Sequence, residues 1–361
     1  MPAVIFCQEM ANIGKICKHI QELVVADCPV TDAGIRNLCI RSDSHESCCQ
    51  KLTNLNLENV RRVTEGGLLI ALSHLTRLQN LQHQNLGKTL QSIHNKNGAQ
   101  RCMLRIVHLS EMVSDEIVKS ICTICPGITD IQIIGSITNE AVLCLSCLQF
   151  LTVLDLGIAD GNSVQFEPSV SQLLRICGRS LLKLLLHDIV GIDLKTVAAC
   201  CPVLQHLEVT LDRPQVRTLS HAVDDSLDVA EDYSKHFKPF SKLIDVELHN
   251  FQPAVIFDDD TITFLLSHAR KLRRLHLKNV DSFTDQVLAD VLAANTMDNI
   301  ADVHLNCCHR ITGSAILAML KLPNCLKSLD LINCQQVTLS DSIQFMNLAQ
   351  RNNYELSVKW T

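Results

Sequence analysis

The stretch VHLNCCHRIT at 303–312 places His304, Cys307, Cys308 and His309 within six residues. Two thiols and two imidazoles make up a tetrahedral donor set for zinc, which binds thiolate sulfur and imidazole nitrogen. A cysteine beside a histidine base is also the start of a nucleophilic site, provided a third group orients the base. Here no third group is fixed by the sequence. Cys122 with Cys125, and Cys144 with Cys147, have the C-x-x-C spacing of half a zinc site. The aspartates at 258–260 in FDDDT offer carboxylates to a hard cation, but acidic residues also gather at helix N-termini and no further ligands follow.

Whether these residues meet depends on the elements that carry them. Around Val303 the apolar skeleton is Ile300, Val303 and Leu305, the form L-x-x-L-x-L. It recurs as LTNLNL from Leu52, LRIVHL from Leu104, LTVLDL from Leu151, LQHLEV from Leu204, LRRLHL from Leu272 and LKSLDL from Leu326. The central anchors are Leu23, Leu55, Leu81, Val107, Ile131, Leu154, Leu184, Leu207, Val246, Leu275, Val303, Leu329 and Leu356. They span 333 residues at a mean step of about 28, and leucine-rich repeats run about 20–29 residues. Segments such as SFTDQVLADVLAANT follow with apolar residues at helical spacing. Thr284-Asp285, Ser114-Asp115 and Thr138-Asn139 suit helix starts.

One strand and one helix cannot bury their shared apolar face alone, whereas stacked copies form a continuous core. The expected fold is therefore α/β: a leucine-rich-repeat solenoid (horseshoe) with short parallel strands on the concave face and helices on the convex face. It takes residues 1–361 as one domain of about 13 repeats, with an irregular, acidic insertion at 211–241 and a smaller loop at RSDSHESCC.

The repeat also gives the cysteines a place. The third residue after each motif's last apolar position reads Cys28, Val60, Leu86, Met112, Ser136, Ala159, Ile189, Asp212, Phe251, Val280, Cys308 and Cys334. This column is expected to point inward, where a thiol buries well and donates weakly. A second column, Cys49, Cys125 and Cys201, is expected to end the preceding helix, and Pro126 and Pro202 fit such a stop. Cys307 and His309 fall on the exit turn and are expected to be exposed. On this reading the cysteines are structural: no catalytic residue, metal ligand or cofactor site is expected.

Composition narrows the function classes. A net charge of −6 and 19% charged residues argue against a nucleic-acid or membrane-surface binder, which needs a cationic excess. MPAVIFCQEM lacks the basic start and long apolar run of a secretory signal. With 18 cysteines and no such signal, reduced thiols and a cytoplasmic or nuclear location are expected.

The unit C-P-x-L-x-x-L-x-L-x-x-C-x-x-I-T-D resembles the cysteine-containing leucine-rich repeats typical of F-box/leucine-rich-repeat proteins. It is carried here by CPGITDIQI, CCPVLQHLEV, LHLKNVDSFTDQVL, VHLNCCHRITGSAI and LDLINCQQVT. In that family the repeats capture a substrate, and an F-box recruits Skp and cullin subunits of an SCF-type ubiquitin ligase. The opening AVIFCQEMANIGKICKHIQEL departs from the family, because it reads as a repeat helix running into a first strand motif at Ile20. No room for an F-box precedes that motif. A truncated or spliced chain, a relative that lost its F-box, or recruitment placed elsewhere each fits this departure.

The resemblance implies a non-catalytic recognition module, with Skp and cullin subunits reached through a missing or separate F-box. The alternative is a repeat scaffold or inhibitor unconnected to ubiquitin. A protein partner would meet the concave face. There Asn54, Asn56, Asn80 and Gln82 are bland, whereas later repeats offer His206, Glu208, Asp245, Glu247, His249, Arg274, His276, Lys278, Asp302 and His304. These read as an acidic band beside a basic band, which favours a charge-complementary partner. His276 and His304 are expected side by side on adjacent strands.

Overall fold

The structure, a computed structural model, describes residues 7–40, 48–96, 101–110, 113–159, 164–211, 238–250, 257–352 and 355–361. Apolar residues at every second position give strands with one buried face, because successive side chains of an extended chain point to opposite sides. The strands are β1 (Glu22–Val24), β2 (Asn54–Asn56), β3 (Asn80–Gln82), β4 (Ile106–Leu109), β5 (Asp130–Gly135), β6 (Val153–Ile158) and β7 (Lys183–His187). They continue as β8 (His206–Leu211), β9 (Asp245–Asn250), β10 (Arg274–Lys278), β11 (Asp302–Asn306), β12 (Ser328–Ile332) and β13 (Ser357–Trp360). Their order in the sheet is their order in the chain, and helices alternate with them. This is the expected α/β repeat architecture.

The chain divides into two compact units, Met1–Val164 with Pro168–Cys177, and Gln165–Glu167 with Gly178–Thr361. In the first, Leu23 lies beside Leu55, Leu55 beside Leu81, and Val107 beside Ile131. In the second, Leu207, Val246, Leu275, Val303 and Leu329 form one row across β8–β12. These anchors are at most 8% exposed, and each buried leucine contributes about 1.5–3 kcal/mol through area removed from water. The last repeat differs from the expected register. Leu329 pairs with Val358, not Leu356, because the strand begins at Ser357.

Helix starts follow the Thr-Asp signal. The hydroxyls of Thr138, Thr284 and Thr312 accept from backbone N–H groups of Ala141, Val287 and Ala315. Ser114 occupies the same cap position without a side-chain cap bond. Asp258 caps Asp259–His268 by accepting from Thr261 N–H at 2.7 Å, so FDDDT opens a helix.

The inward column holds at Val60, Leu86, Ile189, Val280, Cys308 and Cys334, all buried. Cys28 and Ala159 are half-buried, and Ser136 is exposed. The reason is that β5 runs on to Gly135, so Ile137 takes the buried place. Met112, Asp212 and Phe251 lie outside the described residues. Cys125 and Cys201 end helices Asp115–Ile124 and Leu194–Cys200, as expected. Cys49 is buried but does not end a helix, since that helix stops at Cys39; it sits in a turn at φ 48°. Most of the insertion at 211–241 and of RSDSHESCC falls outside the described residues. Leu211 ends β8, and Phe240 is buried just before β9.

One exit-turn position recurs four residues after the anchor. Asp27, Asn59, Asp188, Asn279, Cys307 and Asn333 all take positive φ there, between 53° and 59°. Asn and Asp tolerate this left-handed conformation best among residues with a Cβ. Cys307 is the exception in chemistry, not in shape.

Candidate functional site

The opening constellation does not converge. His304 points from β11 to Asp330, with Nδ1 at 3.0 Å from Oδ2. Cys307, on its left-handed turn, donates to Asn306 Oδ1 at 3.2 Å. Cys308 is buried, and its Sγ lies 3.6 Å from the Leu277 carbonyl of the preceding strand. Burial pushes this thiol up to about 12. Cys334 repeats the contact one unit later, 3.5 Å from the Leu305 carbonyl. His309 holds its backbone N–H on Asp281 at 3.1 Å. Cys307 and His309 are half-buried, not exposed as expected. Of the C-x-x-C pairs, Cys122 and Cys125 are core thiols, whereas Cys144 is half-buried and Cys147 is exposed. Burial holds Cys122 up, while the hydrogen bond that Cys125 donates to Cys102 and then burial hold Cys125 up. Cys147 donates to the Cys122 carbonyl at 3.8 Å.

The expected face residues of β8–β11 do gather, in rows set by the register. His206, Asp245, Arg274 and Asp302 form one row, and Glu208, Glu247, His276 and His304 the next. His249 lies beside Lys278. Asp245 is the departure, because it is buried, 8% exposed. The Arg274 guanidinium binds its carboxylate directly, and His206 Nδ1 lies 3.2 Å from the same oxygen. The acidic and basic bands thus pair with each other in part, while Arg274 and Lys278 keep exposed surface.

In the second row Glu247 Oε2 lies 3.6 Å from His276 Nδ1 and 3.8 Å from His249 Nε2. The two imidazole nitrogens are 3.3 Å apart. His276 and His304 are neighbours as expected, ring centres 5.7 Å apart. Burial holds His276 below the usual imidazole value; His304 and Lys278 push the same way, and Glu247 opposes them. Leu185 and Lys183 join these residues around a groove of about 440 Å³. Neither Lys183 nor the carboxylate partner Asp330 was among the expected contact residues, although both fall at outward positions of their motifs.

The first unit holds a polar groove of about 490 Å³ where the sequence looks bland, lined by Glu58, Gln82, His83, Lys88 and His108 among others. His83 stands where the motif expects an apolar residue, and it is buried. Its Nδ1 accepts from Asn85 N–H at 3.0 Å, so Nε2 carries the proton and donates to the Val60 carbonyl at 3.2 Å. His108 Nε2 lies 3.1 Å from Asp130 Oδ1.

Among the described residues no helix is long and apolar enough to cross a membrane. No family model matches the chain, and no curated protein does. Solved structures do. A chain from the crystal structure of the Rad7 and Elc1 complex in yeast is similar over 98% of this chain and 83% of its own, with a TM-score of 0.60 at 18% identity. At that identity the likeness shows the fold: this chain is folded as a parallel, strand-and-helix repeat protein.

Proposed function

We propose that the protein is a non-catalytic protein-recognition module that meets its partner on the strand face of β8–β11. One observation carries the reading: His206, Arg274, Glu247, His276 and His304 are held by side-chain contacts with carboxylates and by register around one groove. Side chains held before binding lose less freedom on association. Charged rows in known order select a partner by complementarity and steer its approach. The divergence of His304, Cys307, Cys308 and His309 supports a module without thiol chemistry.

Within that reading, the module is the substrate-binding arm of an SCF-type ubiquitin ligase. The cysteine-bearing repeat motif supports this, as does a fold shared with a chain crystallised in a two-protein complex. Purifying the full-length native protein and identifying its partners by mass spectrometry tests the link. Skp and cullin subunits at stoichiometric yield are expected. A stable partner set without them favours a scaffold or inhibitor unconnected to ubiquitin.

A further inference from the structure

Glu247, His249 and His276 are the one group of three or more possible metal ligands whose donor atoms converge among the described residues. Strand geometry brings them together. Glu247 and His249 are two apart on β9 and share a face, and the register sets His276 on β10 beside Glu247. Their donor atoms form a triangle with edges of 3.3, 3.6 and 3.8 Å. A tetrahedral zinc ion with bonds of about 2.0–2.2 Å requires donor separations of about 3.3–3.6 Å. The triangle already has nearly that size, so little movement is needed to close it on an ion.

The chemistry of the set agrees. Two imidazole nitrogens and one carboxylate make the donor trio that zinc takes when its fourth position stays open. The other histidines of this face behave differently: His206 and His304 each turn a nitrogen to one aspartate. Among the described residues, only here do two imidazole nitrogens face each other with a carboxylate at the same point. As a hydrogen bond, the nitrogen pair shares a single proton, whereas a divalent cation would engage both nitrogens and Glu247 at once. Glu247 and His276 also line the 440 Å³ groove, so the fourth position opens to solvent.

We propose that Glu247, His249 and His276 form a zinc site on the strand face, with water as the fourth ligand. The site does not rest on the recognition reading, and its failure would leave that reading intact.

The test titrates zinc and then cobalt(II) into chelator-treated full-length protein kept reduced. Calorimetry is expected to give one equivalent of zinc. Cobalt is expected to give visible bands of tetrahedral strength without the near-ultraviolet charge-transfer band that thiolate ligation produces. Glu247→Gln, His249→Ala and His276→Ala are each expected to weaken binding more than about 100-fold, beyond the roughly 10–100-fold loss usual for outer-shell partners. Their far-ultraviolet dichroism should remain wild-type, and His206→Ala should bind as wild type does. No stoichiometric binding, a thiolate signature, or affinity that survives the three substitutions overturns the assignment.

Discussion

The carboxylate of Asp285 accepts both the backbone N–H and the hydroxyl of Thr312, at 2.8 and 2.7 Å. Asp285 opens one repeat helix, and Thr312 caps the next. The same clamp joins Asp115 to Thr138, at 2.9 and 2.6 Å, and Asp32 to Thr64, at 2.7 and 2.5 Å. A Cβ at Gly67 would collide with the Asp32 carboxylate, so glycine there lets the clamp close. In the last helix Asp341 turns back on its own cap, Thr338. At Thr284-Asp285 the pair therefore does two things: the threonine caps its own helix, and the aspartate locks the helix that follows, whereas Thr31 and Ser114 make no side-chain cap bond beside Asp32 and Asp115.

Asp285→Ala should cost about 1–3 kcal/mol, since it leaves the Thr312 N–H without its charged acceptor. Urea unfolding checks the size. A cycle with Thr312→Val should show the two substitutions to be strongly non-additive. Additive effects would show that the clamp contributes little.

Thiol reactivity should sort by burial. Burial holds Cys308 and Cys39 near 12 and Cys49 near 11. At pH 8 a thiol at 12 is ionised on the order of 10⁻⁴ of the time, and the thiolate is the reactive form. A short iodoacetamide pulse on native protein should label the exposed Cys147 and Cys325 first. Peptide mass spectrometry reads the order. Early labelling of Cys308 would refute its place in the core.

Cys307 takes φ 53° where its neighbours in the column, Asn279 and Asn333, are asparagine. Cys307→Asn should raise stability by about 0.5–1 kcal/mol by easing the left-handed turn. The denaturation midpoint should rise with an unchanged slope. A fall would mean that the thiol's contact with Asn306 outweighs the backbone preference.

Burial holds His83 below the usual imidazole value, against opposing contributions from the Val60 carbonyl and Asp32. Protonating Nδ1 would break its bond from Asn85. Below the unfolded value of about 6.5 the unfolded chain binds more protons at this site than the fold does. This contribution is therefore intact above about pH 6.5 and is lost as pH falls through the lower folded value. Unfolding free energies at pH 7 and pH 5 should differ more for the wild type than for His83→Gln. Equal differences would remove His83 as the cause.

The fold was legible because the repeat states the same pattern many times, and one buried face per strand fixes its register. Legibility failed at the repeats with least context. In the last one, Leu356 imitates an anchor two residues before Val358 takes the role. At β5 a longer strand shifts the inward position from Ser136 to Ile137. The clamp from Asp285 to Thr312 was hidden, since each residue alone reads only as a helix-start signal. The outward side chains of β8–β11 could be named from alternation. Which of them meet could not: that Asp245 is buried beneath Arg274, and that His249 turns toward His276, depends on rotamers rather than on spacing.

On the proposed reading the β8–β11 face is the recognition surface. Lys278 is its best probe, because it is exposed, whereas Arg274 also holds the buried Asp245. The direct measurement is affinity of the purified native partner for wild type, Lys278→Glu, Glu208→Arg, and the helix-face variant Lys195→Glu, with folding checked for each. At least tenfold weaker binding is expected for the two strand-face variants and no change for Lys195→Glu. Equal affinity across all four proteins would contradict it.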